Sequence, residues 1–218
     1  MKNDQFWAWY DKVAAPRLNL RERTFRKMFE HLDGLDRAVA IVETGCVRIA
    51  DNRAGDGQST VLFDRYASMI PGSVVHTVDL DPAATALCNS LVSTTVTIHT
   101  GDSVVALRNI ARDFRARGAP IDLLYLDSFD VDWNNPVPSA VHHLKELLSI
   151  AQAGSKDTLV VIDDCPTIFQ AVLTESHLSL TSPPKVGGKG MYVAEYASHV
   201  GAKPAFSHYQ VGWTGLLG

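Results

Sequence analysis

The sequence predicts an α/β chain with a doubly wound, mostly parallel seven-stranded sheet and an antiparallel C-terminal strand. Three observations predict it. From residue 39 onward, short apolar runs alternate with stretches of helical spacing. Two of those runs, IDLLYLD and TLVVIDD, are apolar without alternation, as strands covered on both faces are. The tail from Gly187 breaks the rhythm, because GKGMYVAEYA and PAFSHYQVGW look strand-like and their short SHVGAK connection has no room for a crossover helix. Those two runs are therefore expected to pair antiparallel.

The elements follow in order. Residues 5–32 read as helical, with Phe25, Met28, Phe29 and Leu32 at three- and four-residue spacings and Gly34 where a stop is expected. VAIVET is the first buried strand, GDGQSTVLFDRYA opens a helix, VVHTVDL is the second strand, and Asp81-Pro82 supplies the cap and first turn for PAATALCNSLV. TVTIHT is a strand, residues 103–118 a helix with Leu107, Ile110, Ala111 and Phe114 on one face, IDLLYLD a strand, SAVHHLKELLSIA a helix and TLVVIDD the last buried strand. There is no repeat and no long linker, so residues 1–218 are expected to form one domain. Within it, residues 1–37 are a helical lid or edge layer and residues 38–218 the α/β core.

Composition narrows the function. Twenty Lys and Arg against 24 Asp and Glu give a net charge of -4, which offers no basic field for a phosphate backbone, so nucleic acid is not the expected partner. The three cysteines, Cys46, Cys88 and Cys165, are far apart and lack CxxC spacing, which suits a reducing cytoplasm. MKNDQFWAWYDK breaks its aromatics with charge, and no run approaches about 20 apolar residues, so neither export nor a membrane is expected.

In a parallel sheet, ligands bind beyond the carboxyl ends of the strands, and here those ends are acidic. Glu43 and Gly45 end the first strand, and Gly55 and Gly57 precede the first core helix with Ser59 beside them. Such a segment is either an ordinary tight turn or a loop that lets a ligand approach the backbone. About 20 residues later Asp79 ends the second strand, where a carboxylate can accept both hydroxyls of an adenosine ribose; capping by this pair of acids is assigned mainly to Asp81. Asp102, with Ser103 after it, ends the third strand and either meets an adenine edge or caps a helix. Asp127, Asp163 and Asp164 end the fourth and fifth strands, about 4.8 Å apart when adjacent. Three carboxylates there either hold a hard cation such as Mg²⁺, Ca²⁺ or Mn²⁺, or are divided between a helix cap and pairing with Arg or Lys.

With these residues in place, the stretch 39–166 resembles the class I S-adenosylmethionine-dependent methyltransferases. Within them it is similar to the divalent-metal-dependent O-methyltransferases of the catechol type and to those acting on macrolide and aminocoumarin sugars. The resemblance implies a Rossmann-like fold, S-adenosylmethionine as cofactor, Mg²⁺ or another divalent cation, and a small-molecule hydroxyl acceptor. Glu43, Gly45, Gly57 and Ser59 would hold the methionine moiety, Asp79 the ribose, Asp102 and Ser103 the adenine, with Asp127 beside the cofactor. Asp127, Asp163 and Asp164 would hold the metal. Asp130 stands where the catechol type carries a lysine base, so Asp127, Asp130 or a histidine, foremost His143, is expected to take the proton.

The loop CVRIADNRA is long for its place and leaves Arg48, Asn52 and Arg53 without assigned positions. Trp7, Trp9, Phe129 and Trp133 either line an acceptor pocket or pack in the core, and SPPKVGGKG reads as a mobile loop offering Lys185 and Lys189 to an anionic acceptor, or as a plain connection. An aromatic amino-terminal helix also suits packing against a second subunit. Two other readings compete: a nicotinamide-dependent oxidoreductase, which would want a closely spaced GxGxxG, and a methyltransferase-like domain that binds without turnover.

Overall fold

Aromatic spacing places two helices ahead of the sheet in the computed structural model. These are α1 (Asp4–Trp9), capped by Asn3 accepting from the Phe6 amide at 3.2 Å, and α2 (Glu22–Gly34). The structure describes all residues except Met1, Lys2, Gly57, Gln170, Thr174, Ser176, Thr181, Ser182 and Gly218, and the side chains of Asp56 and Val172. The helix expected over residues 5–32 is interrupted by a π-helical turn (Tyr10–Ala14) and two 3₁₀ turns (Ala15–Arg17, Asn19–Arg21). Pro16, with no N–H to donate, sits at the break. Beyond it, Phe25, Met28, Phe29 and Leu32 form one buried stripe, and the Phe25 ring stacks 5.8 Å from Tyr125. These helices thus lie over a face of the sheet.

The alternation continues through β1 (Ala40–Thr44), α3 (Arg53–Asp56), α4 (Ser59–Ala67), β2 (Val74–Asp79), α5 (Pro82–Leu91), β3 (Val96–Thr100), α6 (Ser103–Arg117), β4 (Leu123–Leu126), α7 (Val137–Ile150) and β5 (Leu159–Ile162). Two small antiparallel ladders follow, β6 (Thr167–Ile168) with β9 (Lys185–Val186), and β7 (Ala171–Leu173) with β8 (Leu178–Leu180). The chain ends in α8 (Met191–His199), β10 (Pro204–Ser207) and β11 (Val211–Trp213).

The seven-stranded sheet runs β10-β11-β5-β4-β1-β2-β3. Its first five strands in sequence are parallel, and β11 adds antiparallel to β5. This is the doubly wound, Rossmann-like architecture the sequence predicts. The two-residue period of the strands divides the core. Ile41, Leu123, Tyr125 and Val161 face α2 and α4, whereas Val42, Leu124, Leu126, Val160 and Ile162 face the layer of α6, α7 and α8. Because β2 and β4 flank β1 on opposite sides, their following loops diverge, and the crevice at that switch point lies beyond Thr44 and Leu126. Among the described residues no helix is long and apolar enough to cross a membrane.

The tail corrects one expectation. GKGMYVAEYA is not a strand but a 3₁₀ turn (Gly188–Gly190) leading into α8. Val193 and Ala197, four residues apart, share the buried face, and a one-turn spacing packed on the α7 layer outweighs the β-branched and aromatic residues between. The antiparallel pair comes instead from PAFSHYQVGW alone, which folds back on itself as β10 and β11.

Candidate active site

At the switch point the backbone leaves no room for a side chain. Gly45 has φ +81°, and a Cβ there would lie 2.5 Å from the Asp127 carbonyl oxygen, so glycine alone lets the ends of β1 and β4 meet. Glu43 is buried beneath this turn. Its Oε2 accepts from the Thr60 hydroxyl at 2.6 Å and the Thr77 hydroxyl at 2.8 Å, joining β1 to β2 and α4. The Thr60 oxygen in turn accepts from the Val47 amide at 3.2 Å, which suspends the following loop from α4. Gln58, in the left-handed region at φ 51°, donates to the Ile49 carbonyl at 2.9 Å and draws the loop down.

Asp79 sits half-buried at the end of β2, accepting from the Cys46 amide at 3.1 Å and the Asp81 amide at 2.9 Å. Asp81 caps α5 through the Ala83 amide at 2.8 Å. Asp102 caps α6, accepting from the Val105 amide at 2.9 Å, and its exposed position leaves it beside the same edge as Asp79. The buried Ser59 opens α4; Gly57 lies outside the described residues. Between Gly45, Ser59, Asp127 and Ser128 the space amounts to only ≈ 10 Å³.

A second, larger cavity of ≈ 420 Å³ opens beyond β4 and β5, with Asn19, Asp127, Asp130, Trp133, Asp164 and Tyr209 on its walls. Here the three predicted metal ligands converge, together with two cations. Arg21 Nε donates to Asp163 Oδ2 at 2.7 Å and its Nη2 to Asp164 Oδ1 at 3.2 Å. Lys189 donates to Asp127 Oδ1 and lies 3.1 Å from Asp164 Oδ2. Asp163 also accepts from the Tyr125 hydroxyl at 2.8 Å and, at Oδ1, from the Asp164 amide at 2.7 Å. Both oxygens of Asp163 and Asp164, and Oδ1 of Asp127, thus already carry a donor. Arg21 further stacks on the Tyr209 ring at 4.8 Å.

This arrangement does not fit a divalent cation. Of the alternatives the sequence left open, the described residues adopt the pairing with Arg and Lys, and no group of three or more His, Cys, Asp or Glu among them is disposed to hold a metal. Burial alone would lower the Lys189 pKa, but Asp127 and Asp164 hold it above its ordinary value. Burial pushes Asp127 up, aided by Asp163 and Asp164. Asp164 is held below the usual carboxylate range by Lys189 and Arg21, against the effect of burial.

The proposed proton acceptors separate. His143 is fully buried in α7, with Nδ1 2.7 Å from the Ser139 carbonyl, and desolvation lowers its pKa to about 4. It is not brought into the cavity, because one residue along a helix turns a side chain by about 100°. His142 takes the outward position, 3.0 Å from Ser103 Oγ and 3.3 Å from Glu146 Oε1. Glu146 also accepts from Ser128 at 2.6 Å and Thr44 at 3.1 Å, tying the ends of β1 and β4 to α7. Asp130 reaches the cavity wall but pairs with Arg48 at 2.8 Å, a hydrogen bond that lowers its pKa. In the long loop, Asn52 accepts from the Gly55 amide at 3.3 Å and Arg53 pairs with Asp51 at 3.2 Å. Of the four aromatic residues singled out, Trp133 lines the cavity, Phe129 rests 5.4 Å from the His142 ring, and Trp7 and Trp9 pack in the α1 cluster.

Sequence reasoning missed Arg21 and gave Lys189 a different place. The signal for Lys189 was its flanking glycines: a Cβ at Gly188, whose φ is +59°, would collide with the Asp164 carbonyl, and one at Gly190 with Cys165 Sγ. Only glycine on both sides lets the Lys189 amide reach the Asp164 carbonyl at 3.2 Å. For Arg21 the signal was indirect, since three converging carboxylates require positive charge from somewhere.

No protein-family model and no curated protein matches the chain. Among solved structures it is similar to the MycE methyltransferase from the mycinamycin biosynthetic pathway in complex with Mg and SAH, at 17% identity and TM-score 0.45 over 67% of this chain and 36% of that one. For MycE with Mg, SAH and mycinamycin VI the identity is 14% and the TM-score 0.45, over 75% of this chain and 45% of that one. A S-adenosylmethionine-dependent methyltransferase from Clostridium acetobutylicum ATCC 824 is similar at 9% identity and TM-score 0.42 over 99% of both chains. The chain spans less than half the length of MycE.

Proposed function

We propose that the chain is an S-adenosylmethionine-dependent methyltransferase acting on a hydroxyl of a small polar molecule. The observation that carries this reading is the acidic side chain at the end of three successive strands, Glu43, Asp79 and Asp102, set around a glycine whose approach to β4 leaves no room for a Cβ. Such an edge suits a nucleoside-bearing ligand. When bound, the cofactor supplies an electrophilic methyl group on a sulfonium sulfur. Asp79 would accept the ribose hydroxyls, Asp102 and Ser103 would meet the adenine, and Gly45 and Ser59 would border the methionine, with Glu43 fixing the turn from below. The adjoining cavity supplies the acceptor side. Its carboxylates and Tyr209 offer hydrogen-bond partners for hydroxyls and Trp133 offers a flat face, which suits a polyhydroxylated molecule.

Calorimetric titration with S-adenosylhomocysteine, with NAD as the control, tests the reading. Micromolar binding of S-adenosylhomocysteine, weakened by about tenfold to a hundredfold in Asp79→Ala, is expected. Binding of NAD instead, or of neither, would overturn it. Transfer of a labelled methyl group to a panel of sugars and phenols then tests the acceptor class.

A further inference from the structure

We infer that Lys189 stands in the place of a divalent cation, closing the carboxylate trio from within, so that this site takes no metal and methyl transfer there needs none. The last part rests on the reading proposed above; the first does not. Lys189 is 1% exposed, and its ammonium lies against Asp127 and Asp164, which belong to adjacent strand ends. Arg21 closes the other side by bridging Asp163 and Asp164. These two cations leave the three carboxylates with their inward oxygens engaged.

The backbone is built for this placement. Gly188 and Gly190 allow the lysine to pass under Asp164, and Asp164 itself adopts a left-handed φ of 49°, uncommon for a residue with a side chain. Consecutive strand residues point to opposite faces, so Asp163 and Asp164 meet one arginine only because the chain turns there. Strain of this kind at one point, matched by glycines at the opposing point, marks a cluster whose geometry is over-determined. Lys189 is a positioning residue in this account: it fixes Asp127 and Asp164 on the cavity wall, the role a bound cation would otherwise fill. The transfer balances without metal. The acceptor oxygen's electron pair forms the O–C bond, the C–S bond breaks with its pair going to sulfur, and the hydroxyl proton passes to water.

The test is Mn²⁺ titration followed by electron paramagnetic resonance on the whole chain, with S-adenosylhomocysteine calorimetry run in parallel. Wild type is expected to show no saturable Mn²⁺ site and the same S-adenosylhomocysteine affinity in Mg²⁺ and in chelator. Lys189→Ala opens the position and is expected to bind Mn²⁺ at least about tenfold more tightly than wild type, with a melting temperature that Mn²⁺ raises. Lys189→Arg keeps the charge and is expected to stay Mn²⁺-free. A saturable wild-type Mn²⁺ site that Asp164→Asn removes would overturn the inference, and this reading needs no folded Lys189 variant. Absence of S-adenosylhomocysteine binding throughout would sink the methyltransferase reading while the Mn²⁺ result still decides the lysine.

Discussion

The two halves of the sheet's carboxyl edge carry the same residue type and treat it differently. On the β1–β3 side, Glu43, Asp79 and Asp102 accept from hydroxyls and backbone amides within a few tens of residues in sequence. On the β4–β5 side, Asp163 and Asp164 are held by Arg21 from 142 and 143 residues away, and Asp127 by Lys189 from 62. Neutral donors satisfy a carboxylate without cancelling its charge, so Asp79 and Asp102 keep capacity for an incoming ligand. Cationic partners in a buried setting fix geometry, and removing one leaves an uncompensated charge. Under the proposed function the first half receives the cofactor, whereas in the second the buried ion pairs fix the shape of the wall that meets the acceptor.

If that contrast is right, perturbing the second half should show mostly in stability. Arg21→Met is expected to destabilise by about 3–5 kcal/mol, because Asp163 would be left buried without its cationic partner; denaturant unfolding measures it, and a loss near zero would erase the distinction. Asp79→Ala tests the other half: a hydrogen-bonded charged group contributes roughly 1.5–3 kcal/mol, so S-adenosylhomocysteine affinity should fall by about tenfold to a hundredfold, while losing the Cys46 and Asp81 amide bonds lowers the unfolding midpoint less than Arg21→Met does. Thr77→Val removes one hydroxyl from Glu43 and should cost about 1 kcal/mol, visible as a lower melting temperature. The smallest effect concerns His142. Its hydrogen bond to Glu146 raises its pKa, so the pair's contribution is complete below the unfolded histidine value of about 6.5 and is lost as pH rises through the folded value. Stability measured across that window should decline by less than about 1 kcal/mol, and Glu146→Gln should flatten the slope.

The strands, the doubly wound class and the acidic edge were legible because they depend on local pattern: the apolar runs IDLLYLD and TLVVIDD read as covered strands, and Asp81-Pro82 as the start of a helix. The partners were not legible, since nothing in the sequence around Arg21 shows that it will lie against Asp163. His142 and His143 show the limit at its finest, because a single position decides between the network at Ser103 and the helix interior, and the phase of α7 comes from packing. The run MYVAEYA is ambiguous for a related reason: its apolar residues satisfy both a two-residue and a four-residue period, and contact with the α7 layer selects the second.

If the proposed cofactor seats beside Gly45, the narrow space there governs tempo as well as shape. With only ≈ 10 Å³ between Gly45, Ser59 and Ser128, that ligand would enter as the loop over it, hung from Thr60 and Gln58, moves aside. Encounter then waits on opening, so in rapid mixing the observed association rate should stop climbing with ligand concentration and level off at the rate at which the loop lets go. Weakening either tether, rather than adding contacts to the ligand, is what would make this protein a faster binder.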